Sequence, residues 1–418
     1  MRFAVPSYCL MTLLSLPAAA QEQNPSNLYL AELRYQGARL ELGPPRKLTG
    51  DRGRNSQPSF TPDSRAIVFN AVREGEGGQG DVYRIDLGSG VETRITRTPE
   101  NENSPTISSS GELLVIRWKT ETLFREWGLW VYGPDGTPRR GILPGPDTVG
   151  YFIPLDETHF VLVRPTSRFA VALFDLESRQ TVDLEWPVAR LPPQRIPGQA
   201  AVSFVRTDSS GRHQIRRLDP ARRQVSPIAP TVPGRTIHTW ARSDLVLMAK
   251  GNTVFARSPG TDSAWRPVAR FDAPDLQNVS TYVVSPDGRW VILTSTLKPP
   301  LQVALIDSLE SGQPVETVVA RLRGMREAGS LDRYFLSEAD LIGAGSARQS
   351  TTLLQFVAEL FPRSYRAVYA LGNAHRAAGD FTQAAGAYRK ALELNPRSTP
   401  ADREAAQTAE RALRDVTK

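Results

Sequence analysis

Four histidines could most readily carry acid–base or metal chemistry, and their spacing argues against a shared site. They are His159, His213, His238 and His375. A zinc site brings histidines and cysteines together at short, regular intervals. This chain has no His-x-x-x-His motif, and its single cysteine is far from every histidine. We therefore expect packing or surface histidines, and we predict neither a metal site nor a cofactor.

The sequence also lacks the patterns that surround a catalytic nucleophile. No Gly-x-Ser-x-Gly elbow is present, and the Ser-x-x-Lys spacing of Ser295 and Lys298 has neither of its companion motifs. The segment "GAGSAR" from Gly343 lacks the third glycine of a dinucleotide-binding turn, so we interpret it as a tight connection between helices. We predict no catalytic and no cofactor-binding residues, and we do not expect an enzyme.

The first 20 residues resemble a secretory signal peptide. Arg2 provides a positive start, Leu10–Leu16 is apolar, and Ala18–Ala20 offers small residues for cleavage. Cys9, the only cysteine, would be removed with this segment, so we expect no disulfide in the mature chain. No other run is apolar enough to span a membrane. We predict a periplasmic or secreted protein.

The net charge of the chain is +7, from 51 basic and 44 acidic residues. Arginine dominates the basic residues and alternates with acidic ones, without any dense basic run. Such a distribution gives only a weak attraction to anionic surfaces, so we expect no binding to nucleic acid.

The strongest regularity is a turn that recurs at intervals of 42 to 47 residues. The stretches "PSFTPDSRAIVF" from Pro58 and "VVSPDGRWVILT" from Val283 both place a Pro-Asp turn before an apolar strand. The turns lie at Asp63, Ser110, Asp156, Gly198, Asp244 and Asp287. Alternating apolar and polar residues after each turn indicate strands, and four short strands per repeat are typical of a β-propeller blade. Six turns predict six blades over residues 28–297.

Both ends of this region contribute to one blade. Leu28–Leu33 resembles the third strand of a repeat and Arg39–Leu48 the fourth, whereas only two convincing strands follow the turn at Asp287. We expect these halves to combine, because an open ring would leave an unpaired edge strand at each end.

The repeat is similar to that of TolB-like propellers, which is also seen in prolyl-oligopeptidase-type enzymes. The resemblance is carried by "QPSFTPDSRAIVFNAVREGEGGQGDVYRIDLGSGVETRITRTPENENSP" and covers roughly residues 28–297. Only the blades that open at Asp63 and Asp287 keep the Pro-Asp turn. The resemblance implies a propeller that docks to envelope proteins.

From Pro299 the apolar period changes to about 3.6 residues, which predicts helices over residues 300–415. The segment "SYRAVYALGNAHRAAGDFTQAAGAYRKALELNP" resembles a tetratricopeptide repeat (TPR), with small residues where two helices touch. Val368 and His375 depart from that motif. We interpret "SARQSTTLLQFVAELFPRS" as a degenerate repeat and "ADREAAQTAERALRDV" as a capping helix. The fold class is thus an all-β propeller followed by an all-α TPR-like region.

The TPR resemblance implies that a helix over residues 365–377 lines a concave binding face. We expect Val368, Leu371 and Gly372 to face the second helix. Four residues at spacings of 3, 4 and 3 then form a stripe on the other side: Arg366, Tyr369, Asn373 and Arg376. Related repeats use the asparagine position to bind a peptide backbone. Two arginines favour an acidic or carboxylate-ended peptide, although an ordinary solvated helix face is the alternative.

These features favour a non-catalytic, exported scaffold that binds envelope or secreted proteins. One alternative is a glycan or small-ligand receptor that uses the propeller channel. Its basis is six tryptophans that could stack on sugars or pack between blades: Trp118, Trp127, Trp130, Trp186, Trp240 and Trp290. A second alternative function is that of an accessory protein in a secreted hydrolase system, because the helical block resembles the tails of some secreted serine hydrolases.

Overall fold

A computed structural model describes residues 24–37, 39–50, 53–73, 79–118, 128–143, 149–164, 169–185, 188–189, 191–208, 212–310, 312–398 and 400–417. The described residues form two compact units, which divide between Leu297 and Lys298. The predicted signal peptide, residues 1–20, lies outside the described residues.

The first unit is a six-bladed β-propeller made of six antiparallel sheets. The strands of the first five blades run in chain order within each sheet. They are Arg54–Phe60, Ala66–Val72, Asp81–Asp86 and Glu92–Arg94 in blade 1; Asn101–Ile107, Leu113–Trp118, Gly128–Tyr132 and Pro138–Leu143 in blade 2; Tyr151–Pro154, His159–Arg164, Ala170–Asp175 and Gln180–Glu185 in blade 3; Gln194–Arg195, Val202–Thr207, His213–Asp219 and Gln224–Pro230 in blade 4; and Thr239–Arg242, Leu245–Lys250, Thr253–Arg257 and Arg266–Arg270 in blade 5.

Blade 6 is built from both ends of this unit, as the sequence predicts. Val279–Val284 pairs with Trp290–Thr296, which pairs with the N-terminal strand Ser26–Gln36. The predicted fourth strand is divided in two, because both Arg39–Leu42 and Arg46–Lys47 pair with Ser26–Gln36. The interruption contains two prolines, which lack the N–H group that a strand ladder needs.

The Pro-Asp turns have the hydrogen bonds of a capped turn. Oδ1 of Asp63 accepts from the Thr61 hydroxyl at 2.6 Å and from the Arg65 amide at 3.1 Å. Asp287 accepts from the Arg289 amide at 3.1 Å in the same way. The bond from the Thr61 hydroxyl also lowers the pKa of Asp63. These aspartates therefore fix the turns by local hydrogen bonding.

Apolar side chains fill the spaces between neighbouring blades. Leu28, Leu30 and Ile292 of blade 6 pack with Phe69 and Ile85 of blade 1, and all five are almost completely buried. Burial of such side chains is the main stabilising contribution, since each sheet covers its faces only against its neighbours.

The second unit is helical. Its described helices are α1 (Leu301–Glu310), α2 (Val315–Glu327), α3 (Glu338–Ala347), α4 (Thr351–Leu360), α5 (Tyr365–Ala377), α6 (Phe381–Leu394) and α7 (Pro400–Val416), with a short 3₁₀ helix at Ser330–Arg333. Among the helices that the structure describes, none combines the length and apolarity needed to cross a membrane.

The predicted connection at Gly343 is wrong, because Gly343 lies inside α3. The small residues of this segment serve helix packing instead. A Cβ atom on Gly345 would lie 2.8 Å from the Leu354 side chain of α4, so glycine allows α3 and α4 to approach closely.

Candidate functional site

The candidate binding surface lies on α5, which packs against α6 as a helical hairpin. The Ser364 hydroxyl accepts from the Ala367 amide at 3.0 Å, and the Asp380 carboxylate accepts from the Gln383 amide at 3.1 Å. Gly379 turns the chain between the helices with φ at 79°. The Ser364 cap determines where α5 begins, and Gly379 and the Asp380 cap determine where α5 ends and α6 begins.

Gly372 of α5 lies directly against the Tyr388 ring of α6. A Cβ atom on Gly372 would lie 2.7 Å from Cε1 of Tyr388, closer than real carbon atoms approach. The Tyr388 side chain is completely buried. The absence of a side chain at position 372 therefore makes room for the Tyr388 ring.

Tyr388 also contacts two of the predicted binding residues. Its ring centroid is 5.5 Å from that of Tyr369, and its hydroxyl donates to Oδ1 of Asn373 at 2.8 Å. The prediction that Tyr369 and Asn373 face away from the second helix is therefore wrong. Residues 369, 372 and 373 share one helical face, and the ring that enters at Gly372 spans all three positions.

The bond from Tyr388 gives Asn373 a defined orientation. Because Oδ1 accepts the tyrosine proton, the Nδ2 group with its two protons occupies the other branch of the amide. Asn373 is half-buried. A half-buried amide whose oxygen is engaged is suited to donate a hydrogen bond to a carbonyl group of a bound chain.

Arg366 occupies a different environment from the rest of the predicted stripe. It is only 8% exposed, and its Nε donates to the Tyr365 hydroxyl at 3.2 Å. That hydroxyl donates to Oδ1 of Asp402 in α7 at 3.0 Å. Burial raises the pKa of Tyr365, so the hydroxyl keeps its proton for Asp402. Arg366 thus belongs to a buried contact between α5 and α7.

Arg376 is half-buried and follows Asn373 by three residues, in the last turn of α5. The structure therefore brings Tyr369 and Asn373 together on Tyr388, places Arg366 in the separate contact with Tyr365, and leaves Arg376 one turn beyond Asn373. The partner-binding role of the four residues stays a prediction.

The four histidines lie apart and make local contacts. Two of them bond to nearby polar residues, His159 to Asp156 and His213 to Thr207. Nδ1 of His375 lies 3.6 Å from the Asp380 carboxylate. Within the described ranges, no three His, Cys, Asp or Glu side chains gather into a group that could hold a metal ion.

His238 is only 3% exposed and lies between blades 4 and 5. The Trp240 Nε1 donates to the Ser203 hydroxyl at 2.8 Å, and that hydroxyl lies 2.7 Å from Nε2 of His238. His238 also forms a hydrogen bond with the backbone of Thr236. Burial lowers the pKa of His238 to about 4, so the ring is neutral near pH 7 and Nε2 can accept the serine proton. This chain of bonds connects the two blades.

The described members of the predicted tryptophan set pack between blades. Trp118 packs with side chains of blades 2 and 3, Trp130 with blades 1 and 2, Trp240 with blades 4 and 5, and Trp290 with blades 6 and 1. Trp127 and Trp186 lie outside the described residues. For the four described side chains the structure therefore agrees with the packing interpretation.

Sequence reasoning missed a buried acidic group between blades 1 and 2. Glu102 is completely buried and accepts from the hydroxyls of Thr96 at 2.9 Å and Tyr132 at 3.1 Å, with a further bond from Thr98. Burial raises its pKa to about 7. The polar run "TRTPENENSP" beside an innermost strand was the available signal, since polar residues there must find partners in the interior.

Comparisons with known proteins agree with this architecture. Residues 365–398 match the tetratricopeptide repeat family model. No curated protein sequence matches the chain.

Several solved propellers have a similar fold at low sequence identity. A putative TolB from Agrobacterium tumefaciens is 16% identical, with a TM-score of 0.49, 65% of this chain covered and 98% of that one. TolB from Acinetobacter baumannii is 15% identical, with a TM-score of 0.42 and 64% of each chain covered. An oligogalacturonate lyase from Vibrio parahaemolyticus is 11% identical, with a TM-score of 0.43, 60% of this chain covered and 80% of the lyase. The six sheets of the structure make the chain a six-bladed propeller, and TolB proteins are among its structural neighbours. The helical region that follows contains a tetratricopeptide repeat.

Proposed function

We propose that this protein is a non-catalytic, exported scaffold for protein–protein interactions in the cell envelope, and that α5 binds a peptide of the partner. The observation that carries the proposal is the TPR hairpin in which Tyr388 fixes the amide of Asn373. The signal-like first 20 residues and the TolB-like propeller repeat support the envelope location.

Each residue of the predicted stripe has a distinct role in this proposal. Asn373 donates from Nδ2 to a backbone carbonyl of the peptide, and Arg376 pairs with an acidic side chain or a terminal carboxylate. Tyr369, held against Tyr388, provides an aromatic contact. Arg366 stabilises the start of α5 through Tyr365 and Asp402. The preferred partner segment is acidic or carboxylate-ended.

Charge reversal at Arg376 tests this surface. Fluorescence anisotropy of the full chain is measured with labelled acidic peptides that end in a free carboxylate and with the same peptides amidated. The Arg376→Glu variant should bind the acidic peptides at least tenfold more weakly, because a carboxylate then faces a carboxylate. Arg389→Glu is the matched control, since Arg389 is an exposed residue of α6 outside the stripe.

Two outcomes would count against the proposal. Equal losses of affinity in Arg376→Glu and Arg389→Glu would show that binding depends on the net charge of the protein and not on this surface. Failure of every acidic peptide to bind at millimolar concentration would remove α5 as a site for such peptides.

The envelope location is tested separately. Expression of the full-length chain in a Gram-negative host, followed by cell fractionation and mass spectrometry, should give a periplasmic or secreted protein that starts near Gln21. A protein that keeps residues 1–20 and stays in the cytoplasm would contradict export.

A further inference from the structure

A groove of about 430 Å³ lies between blades 4 and 5, apart from the surface on α5. Six side chains define it, and we call it the blade 4–5 groove: Ile196, Gln199, Arg217, Ile228, Trp240 and Arg242. The turn 258–261 also lines it. Its volume is within the range of small-ligand sites.

The base of the groove is apolar. Ile196 is buried, Ile228 is half-buried, and the Trp240 side chain is 4% exposed. The polar atom of Trp240 does not compete for a ligand, because its Nε1 donates to the Ser203 hydroxyl inside the blade. The indole therefore offers carbon atoms to the groove, which suits an aliphatic or aromatic group.

Two arginines of different blades line the same groove. Arg217 of blade 4 contacts the Gln199 amide at 3.5 Å and Asp219 at 3.7 Å. Both distances are long for a guanidinium, which has five N–H donors. Asp219 is already engaged by Arg222 at 3.0 Å. Within the described part of the chain, Arg217 thus keeps donor capacity for an anion.

Arg242 of blade 5 is held in place by an aromatic ring and a carboxylate. Its guanidinium lies over the Tyr35 ring at 5.1 Å, and its Nε is 3.2 Å from the carboxylate of Asp244. Asp244 also lines the groove and balances this one charge. With two arginines and one aspartate, the lining keeps one net positive charge.

The turn 258–261, which also lines the groove, is held by its own hydrogen bonds. The Asp262 carboxylate accepts from the Ser258 amide at 2.8 Å, and the amides of Thr261 and Asp262 donate to the Ser258 carbonyl. Because this turn and the apolar base are already ordered, a ligand would bind without first organising the groove.

We propose that the blade 4–5 groove binds a peptide segment in which an apolar side chain stands next to a carboxylate. The apolar group packs on Ile196, Ile228 and Trp240, and the carboxylate accepts hydrogen bonds from Arg217. A carboxylate of this kind has two sources, the C-terminus of a chain or an internal Asp or Glu side chain.

Calorimetric titration of the full chain with three short peptides separates these sources. They are acetyl-Gly-Ser-Gly-Phe with a free carboxylate, the same peptide amidated, and amidated acetyl-Gly-Phe-Glu-Gly. We expect micromolar to millimolar binding of one or both carboxylate peptides and at least tenfold weaker binding of the amidated control. Preference for the first peptide identifies a chain terminus, and preference for the third identifies an acidic side chain.

Variants then locate the binding. Arg217→Gln should lower the affinity for the peptide at least tenfold. Gln199→Glu should lower it to a similar extent, because it places a carboxylate beside Arg217. Gln199 is exposed, so this second variant keeps the test valid if Arg217→Gln folds poorly. Arg270→Gln, an exposed change on the outer strand of blade 5, should leave binding unchanged.

The same titrations distinguish this groove from the surface on α5. Binding that is lost in Arg376→Glu but kept in the two groove variants would overturn the groove proposal. It would also be overturned if neither carboxylate peptide bound or if amidation had no effect. Binding that is lost in the groove variants and kept in Arg376→Glu would support the groove proposal, whether or not α5 also binds a peptide.

Discussion

The backbone amide of Asp287 donates to the hydroxyl of Ser64 at 3.3 Å, across 223 positions of sequence. These residues belong to the two Pro-Asp turns whose sequences resemble each other most. The turns are neighbours because blade 6, which carries Asp287, closes the ring against blade 1. The repeated sequence at the two ends of the propeller thus marks two adjacent blades, and Ser64, which is 8% exposed, lies at their junction.

The contact between Gly372 and Tyr388 predicts opposite effects for two glycine substitutions. Gly372→Ala should lower the free energy of unfolding by about 1–3 kcal/mol, because the new Cβ would overlap the buried tyrosine ring. Gly386→Ala should raise it by up to about 1 kcal/mol, because this helical glycine has nothing within 4 Å of an added Cβ. Chemical denaturation measures both, and equal effects would contradict the packing described for α5 and α6.

Arg366 should matter for stability more than for binding. Arg366→Glu places a carboxylate in the buried contact with Tyr365 and Asp402. This substitution should lower the free energy of unfolding by about 3 kcal/mol. Arg363→Glu is the control, since Arg363 is exposed just before α5, where a negative charge is favourable. Thermal unfolding measures the two variants, and a midpoint unchanged in Arg366→Glu would mean that the buried contact contributes little.

The architecture could be predicted because it is encoded locally. Each blade has a turn followed by strands with alternating apolar residues, and each helix has an apolar stripe. The spacing of apolar residues along the sequence is therefore enough to identify both kinds of element. The inner contacts could not be predicted in this way. Ser203 and His238 are 35 positions apart and come together only when blades 4 and 5 pack.

The orientation of α5 shows the same limit. The sequence pattern of a helix specifies which residues share a face. Which of these faces packs against the next helix depends on how far a side chain of that helix, here the Tyr388 ring, reaches toward α5. Because Gly372 has no side chain, the Tyr388 ring comes close to α5 and its hydroxyl reaches Asn373. Asn373 therefore faces the second helix and not away from it.

His238 predicts a loss of stability in acid. Its pKa is lowered from 6.5 when unfolded to about 4 when folded, so the neutral ring stabilises the fold fully above pH 6.5. This contribution, on the order of 3 kcal/mol, is lost as the pH falls from 6.5 to 4. Denaturation of the wild type and of His238→Asn at several pH values should show their stabilities converging toward pH 4. A constant difference would contradict a buried neutral histidine.

Glu102 predicts the opposite dependence. Its pKa is raised from 4.5 to about 7, so the protonated side chain stabilises the fold fully below pH 4.5, and this is lost as the pH rises through 7. Glu102→Gln keeps a neutral group at all pH values. The variant should gain stability relative to the wild type by on the order of 3 kcal/mol between pH 4.5 and pH 8. A stability difference that does not change over this range would show that Glu102 ionises without penalty.

The affinity of the Asn373→Asp variant for an acidic, carboxylate-ended peptide tests the central claim most directly. Aspartate has the shape of asparagine and still accepts the Tyr388 proton, but it cannot donate to a peptide carbonyl and it repels a carboxylate. We predict a Kd at least tenfold higher than that of the wild type, measured by calorimetry, with a thermal midpoint within about 2 °C of it. An unchanged Kd in a folded variant would contradict the assignment of α5 as the partner-binding surface.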